Sequence, residues 1–182
     1  MNPALIGSTL IDVDKQSRFT VLVNAYTDDL YRFAYWLCRD VNQAEDLVQE
    51  TFTRAWSSLD SLRDEKAAKS WLFTTLRREN ARRFERVQPK LVDEDLETIA
   101  ETRQDHDTST EAFILRKALK DLPEEYREPL LLQVIGGYSC NEIAEQLGLS
   151  SGAVMTRLFR AKQKLREVLI GDEQIGTKVR LI

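Results

Sequence analysis

Histidine occurs once in 182 residues, cysteine twice, proline four times and glycine seven times. Cys38 and Cys140 stand far apart and cannot build a disulfide framework, which fits a reducing, cytoplasmic setting. The single histidine, His106, lies among Asp105, Asp107 and Thr108, so no Cys/His metal cluster can be assembled. No apolar run approaches the ~18 residues that a membrane-spanning helix requires. Met1 to Ile11 lacks the basic start and small-residue cleavage site of a secretory signal. A plausible nucleophile–base pair and a phosphate-binding glycine loop are also missing, so the chain is expected not to be an enzyme and to need no metal or cofactor.

The composition is 42% hydrophobic and 31% charged, which suffices to bury a core and excludes wholesale disorder. The length suits one domain or two small ones. The net charge of −4 argues, as an average, against a nucleic-acid binder. That average conceals a strong segregation of charge along the chain.

Phe19, Leu22, Val23, Tyr26, Leu30, Phe33 and Leu37 recur at helical spacing and predict a helix over about 17–39. Ala44, Leu47, Val48, Thr51, Phe52, Ala55, Trp56 and Leu59 predict a second, with Asn42 as its expected N-cap. A third should span about 66–86, with Trp71, Leu72, Thr75 and Leu76 buried and Pro89 ending it. Residues 92–111 then carry eight acids against one base and read as an acidic, flexible linker. Helical pattern resumes at Ile114. Leu122-Pro123-Glu124-Glu125 opens a further helix, in which Pro129 either introduces a kink or shifts the start. No alternating β-branched stretch competes, so the fold class is all-α: two small helical domains, the second containing a helix-turn-helix.

That helix-turn-helix lies at 139–158. Ser139 and Glu142 form a capping box, and Ile143, Ala144 and Leu147 face inward before Gly148 supplies the left-handed exit. Ser150 or Ser151 caps the next helix, whose inward face is Val154, Leu158, Ala161 and Leu165. From Ser151 to Arg166 there are five bases and no acid. Met155, Thr156, Phe159 and Arg160 point outward near its start, where such helices meet base edges, and the later basic residues suit phosphate.

A second basic stretch runs over 77–90, with six bases against two acids. Arg78, Arg82 and Arg86 are spaced by four and form one stripe, suited to a phosphate track. Of the aromatic residues nearby, Trp71 reads as core; Phe73 and Phe84 suit either packing or stacking on unpaired bases.

These features in this order resemble the extracytoplasmic-function class of bacterial sigma factors, built from sigma-70 regions 2 and 4. The resemblance rests on Ala44-Glu45-Asp46-Leu47-Val48-Gln49-Glu50, Ala55-Trp56, Trp71-Leu72, Leu122-Pro123-Glu124-Glu125, Glu142-Ile143-Ala144 and Arg157-Leu158-Phe159-Arg160-Ala161, and covers about 19–169. It implies a factor that binds core RNA polymerase, directs it to promoters and assists opening. Residues 17–90 would form the region 2 domain, 91–111 the linker, 112–170 the region 4 domain and 171–182 a tail without an assigned role.

The resemblance further implies that Asp46, Gln49 and Glu50 contact the clamp helices of the polymerase β′ subunit. The loop 61–69, with Arg63, would capture a flipped base of the −10 element. Phe73, Arg77, Arg78, Arg82, Arg83 and Arg86 would follow the opened strand. Ser151, Met155, Thr156, Arg157, Phe159, Arg160, Lys162 and Lys164 would serve the −35 element, and an anti-sigma factor would be a further partner. Arg78 stands where the family commonly has Asn, and Met155 where it has a basic residue, so no particular promoter sequence is implied. The residues by themselves also fit a stand-alone helix-turn-helix regulator that binds duplex DNA without polymerase.

Overall fold

The computed structural model describes residues 3–62, 67–86 and 110–179, with side chains over 14–62, 67–83 and 113–169. The described residues contain helices and no strand. Contacts divide the chain into two units at Lys90 and Leu91.

The first unit comprises α1 (Pro3–Cys38), α2 (Val41–Ser58), a 3-10 turn (Leu59–Ser61) and α3 (Ala68–Arg86). Helix α1 starts well before the expected Ser17, because no breaker interrupts the chain beyond a first-turn proline and Gly7. Between α1 and α2 the chain reverses through Arg39, which takes a left-handed φ of 58°. Asp40, and not Asn42, is the N-cap of α2: extended at φ −147° and ψ 126°, its Oδ1 accepts from the Gln43 amide at 2.8 Å. The three helices pack on one another through Leu30, Phe33, Ala34 and Leu37 of α1, Ala44, Leu47, Val48, Thr51 and Ala55 of α2, and Leu72, Phe73 and Leu76 of α3, all buried. The Phe33 and Phe73 rings meet at 5.1 Å. Toward the other end of α2, Phe19 meets Trp56 at 5.0 Å, and Arg18 donates to the Leu62 carbonyl at 3.2 Å.

The second unit comprises α4 (Thr110–Asp121), α5 (Glu124–Val134), α6 (Cys140–Leu147) and α7 (Ser151–Val179). Helix α7 packs against the other three around Ala118, Leu122, Leu132, Ile143, Val154, Leu158 and Ala161. Pro123 is the N-cap of α5, so Pro129 lies inside that helix and does not shift its start. Arg127 is buried and donates to the Leu122 carbonyl at 3.0 Å and, at 3.5 Å, to that of Lys120, capping carbonyls at and just beyond the end of α4. The acidic stretch up to Ser109, with His106, and Pro89 lie outside the described residues; Thr110 and Glu111 are already helical. The expected tail is helical through Val179.

The turn between α5 and α6 depends on glycine. A Cβ on Gly136 would lie 2.5 Å from the Leu132 carbonyl oxygen and 2.5 Å from the Tyr138 ring. At Gly148 the φ is +65°, but the surrounding space is open. Gly136→Ala should therefore destabilise the second unit by about 2–3 kcal/mol through overpacking against backbone. Gly148→Ala should cost only about 1 kcal/mol of left-handed strain. Urea denaturation followed by circular dichroism would order the two.

Candidate nucleic-acid interface

Burying Leu72, Phe73 and Leu76 fixes the rotation of α3. Phe73 is fully buried against Phe33 and has no face to offer a base, which corrects the expectation that it contacts DNA. Trp71 and Thr75 are correspondingly turned outward and only half-buried, where core positions were expected. Trp71, Thr75, Arg78 and Arg82 follow one helical face and line an open cleft of about 470 Å³, together with Glu50 and Arg54 of α2.

The cleft is organised by a carboxylate. Glu79, with its side chain 7% exposed, forms ion pairs at 2.7 Å with both Arg54 across the seam and Arg82 on its own helix. Arg54 also pairs with Glu50 at 3.1 Å. Neither Arg54 nor Glu79 stands out in the sequence: each looks like half of a local helical pair, and only the α2–α3 packing joins them. Arg83 is half-buried and donates to the Gln43 carbonyl at 3.1 Å, tying α3 to the first turn of α2. Arg77 is half-buried and Arg78 exposed. Arg63, with residues 64–66, and the side chains of Phe84 and Arg86 lie outside the described residues.

On α2, Asp46 and Gln49 are exposed one turn apart, and Glu50 is half-buried beside Arg54; Leu47, Val48 and Thr51 face the core. Cys38 is packed near Asn80, its Sγ 3.5 Å from Oδ1. Burial pushes its thiol up to about 11, with Arg83 opposing and Asp40 adding to the shift.

The second unit presents the other basic surface. The Ser139 Oγ accepts from the Glu142 amide at 3.4 Å, while Glu142 accepts from the Ser139 amide at 2.8 Å, completing the capping box. Gly148 then turns the chain, and Ser150, not Ser151, caps α7 by accepting from the Ala153 amide at 3.2 Å. With Val154, Leu158 and Ala161 buried, Met155, Thr156, Phe159, Arg160, Lys162 and Lys164 are exposed, and Ser151 and Arg157 are half-buried. The sequence-derived set on this helix thus lies on its outer side and flanks.

Residues 22–89 match the family Sigma-70 region 2, and residues 112–165 match Sigma-70, region 4. The RNA polymerase sigma factor SigV of Bacillus subtilis is 34% identical over 165 residues, covering 87% of this chain and 97% of its own length. The ECF RNA polymerase sigma factor SigL of Mycobacterium tuberculosis is 33% identical over 145 residues, covering 77% of this chain and 82% of its own. The chain is an extracytoplasmic-function sigma factor. As such it is a transcription initiation factor that directs RNA polymerase to promoters, and this prevails over a stand-alone regulator. A solved sigma factor, RpoE of Bartonella quintana in complex with the anti-sigma factor NepR, superimposes with a TM-score of 0.64 at 28% identity, covering 86% of this chain and 96% of that one. CnrH, solved with the cytosolic domain of CnrY, gives 0.57 at 28% identity, with 86% and 90% covered. Among the described residues of the sigma factor, no cluster of His, Cys, Asp and Glu suits a metal, and no helix is long and apolar enough to cross a membrane.

Two outcomes follow from these contacts. Glu79→Ala would leave Arg54 and Arg82 without their shared acid. Loss of about 1.5–3 kcal/mol is expected for a charged, mostly buried acceptor, toward the lower end because both arginines are half exposed. Thermal unfolding of the variant measures it. The hydrogen bonds from Ser139 hold the Glu142 carboxyl below its usual range. A carboxylate depressed in the folded state stabilises above its unfolded pKa and loses that contribution as pH falls through the folded value. The advantage in Tm of the native chain over Glu142→Gln should therefore shrink on acidification below the usual carboxylate value of about 4.3.

Proposed function

We propose that the two units of this sigma factor divide the work of initiation. The first, taken as 17–90, binds core polymerase and the −10 element; the second, 112–170, binds the −35 element. The acidic 91–111 stretch joins them. In the first unit Asp46, Gln49 and Glu50 meet the clamp helices of the β′ subunit. An exposed acid and amide one turn apart on a helix whose opposite side is core supply a polar docking edge. The cleft face of α3 receives the strand exposed on opening: Trp71 offers a ring for stacking and Arg78 and Arg82 offer phosphate contacts. Holding an unpaired strand there favours the open duplex over the closed one.

In the second unit α7 enters the major groove with Ser151, Met155, Thr156, Arg157, Phe159 and Arg160, while Lys162 and Lys164 meet phosphates. The observation that carries the reading is this helix: five bases and no acid over 151–166, on the second helix of a capped helix-turn-helix. An anti-sigma protein is a further partner, as NepR is for the similar RpoE. Work on polymerase and promoter DNA places the chain in the cytoplasm.

The test is run-off transcription by core polymerase supplied with the full chain, natively and as Asp46→Lys/Gln49→Lys. The double variant should bind core polymerase about tenfold or more weakly, as expected for a reversed charge contact at an interface. Its Tm should be unchanged, because both side chains are exposed. Unaltered affinity would remove the docking assignment, and transcription that ignores the protein altogether would remove the whole reading.

A further inference from the structure

Near its start, the outer side of α7 has few polar groups free to read a base. Ser150 serves as the cap. Gly152 has no side chain, and the Thr156 hydroxyl spends its proton on the Gly152 carbonyl at 2.9 Å. Beside the exposed Arg160, what projects is apolar: Met155 is 55% and Phe159 68% exposed, one turn apart. Two large apolar side chains exposed side by side, one turn apart, form a patch of the kind that marks an interaction surface. The surrounding charge indicates which partner, because the stretch 151–166 has five bases and no acid and so suits a polyanion.

In the major groove, one base-pair feature rewards an apolar side chain: the thymine C5-methyl group. Four residues of helix rise ~6 Å, and base pairs stack at ~3.4 Å, so the two side chains address different base pairs about two steps apart. We propose that Met155 is a specificity-determining residue of this chain and reads a thymine methyl in the −35 element by apolar contact, with Phe159 covering a second base pair about two steps away. This rests on the reading of the second unit as the −35 binder.

The experiment uses core polymerase and the full chain on a promoter library randomised through the −35 element, with the transcribed templates sequenced. The native chain should enrich thymine at a position where Met155→Ala does not. In the best template, replacing that thymine by deoxyuridine removes only the methyl. Initiation should then fall about fourfold for the native chain, the value of one buried carbon, and stay unchanged for Met155→Ala. Met155→Arg should move the preference to guanine, which arginine contacts bidentately.

Thymine enrichment without a deoxyuridine effect, or a preference that Met155→Ala leaves intact, overturns the inference and assigns the exposed pair to a protein partner. If no library member is transcribed in a protein-dependent way, the −35 reading itself falls, which is a distinguishable result.

Discussion

The contact between Phe33 and Phe73 fixes what the first unit can present. A helix rotates about its axis to bury its largest apolar side chains, and each fully buried Phe is worth about 1.5–3 kcal/mol. Once Leu72, Phe73 and Leu76 turn toward α1 and α2, the positions 71, 75, 78 and 82 are obliged to face outward. Tryptophan and the arginines then share a surface without any interaction between them having drawn them together. The cleft is the remainder of a packing solution, and its chemistry is set by which residues that solution left over.

The two basic surfaces differ in how their charge is balanced. Along the cleft, Glu79 and Glu50 stand among Arg54, Arg78 and Arg82, so part of the guanidinium charge is already answered within the protein. Such a surface holds its donors in fixed positions, which favours short-range contact with a strand over attraction at a distance. On α7 no acid intervenes from 151 to 166, and the charge acts over a Debye length of ~8 Å at physiological salt. Under the proposed division of work, capture of duplex DNA by the second unit and retention of an opened strand by the first would therefore respond differently to ionic strength.

Much of this was legible in the sequence where the signal was local. The capping box at Ser139 and Glu142 and the exit at Gly148 depend on neighbours within a few residues, and so do the inward Val154, Leu158 and Ala161. The N-cap of α2 falls on Asp40 and not on the expected Asn42: the two are chemically equivalent candidates, and only the left-handed Arg39 decides where the chain enters the helix. The buried face of α3 lies one position from the expected one, since Trp71-Leu72-Phe73 are consecutive apolar residues and periodicity cannot choose which of them faces the core. Glu79 with Arg54, Arg127 under the end of α4, and the crowding at Gly136 are products of tertiary packing, and no spacing announces them.

Helix α7 has one more property. Its 29 residues run without interruption from the helix-turn-helix to Val179, a rod of about 44 Å. The buried Val154, Leu158 and Ala161 lie in its first half. The second half is a lever arm on the same shaft. Whatever grips that arm exerts torque directly on the end that carries Met155 and Phe159, with no joint between them to absorb it.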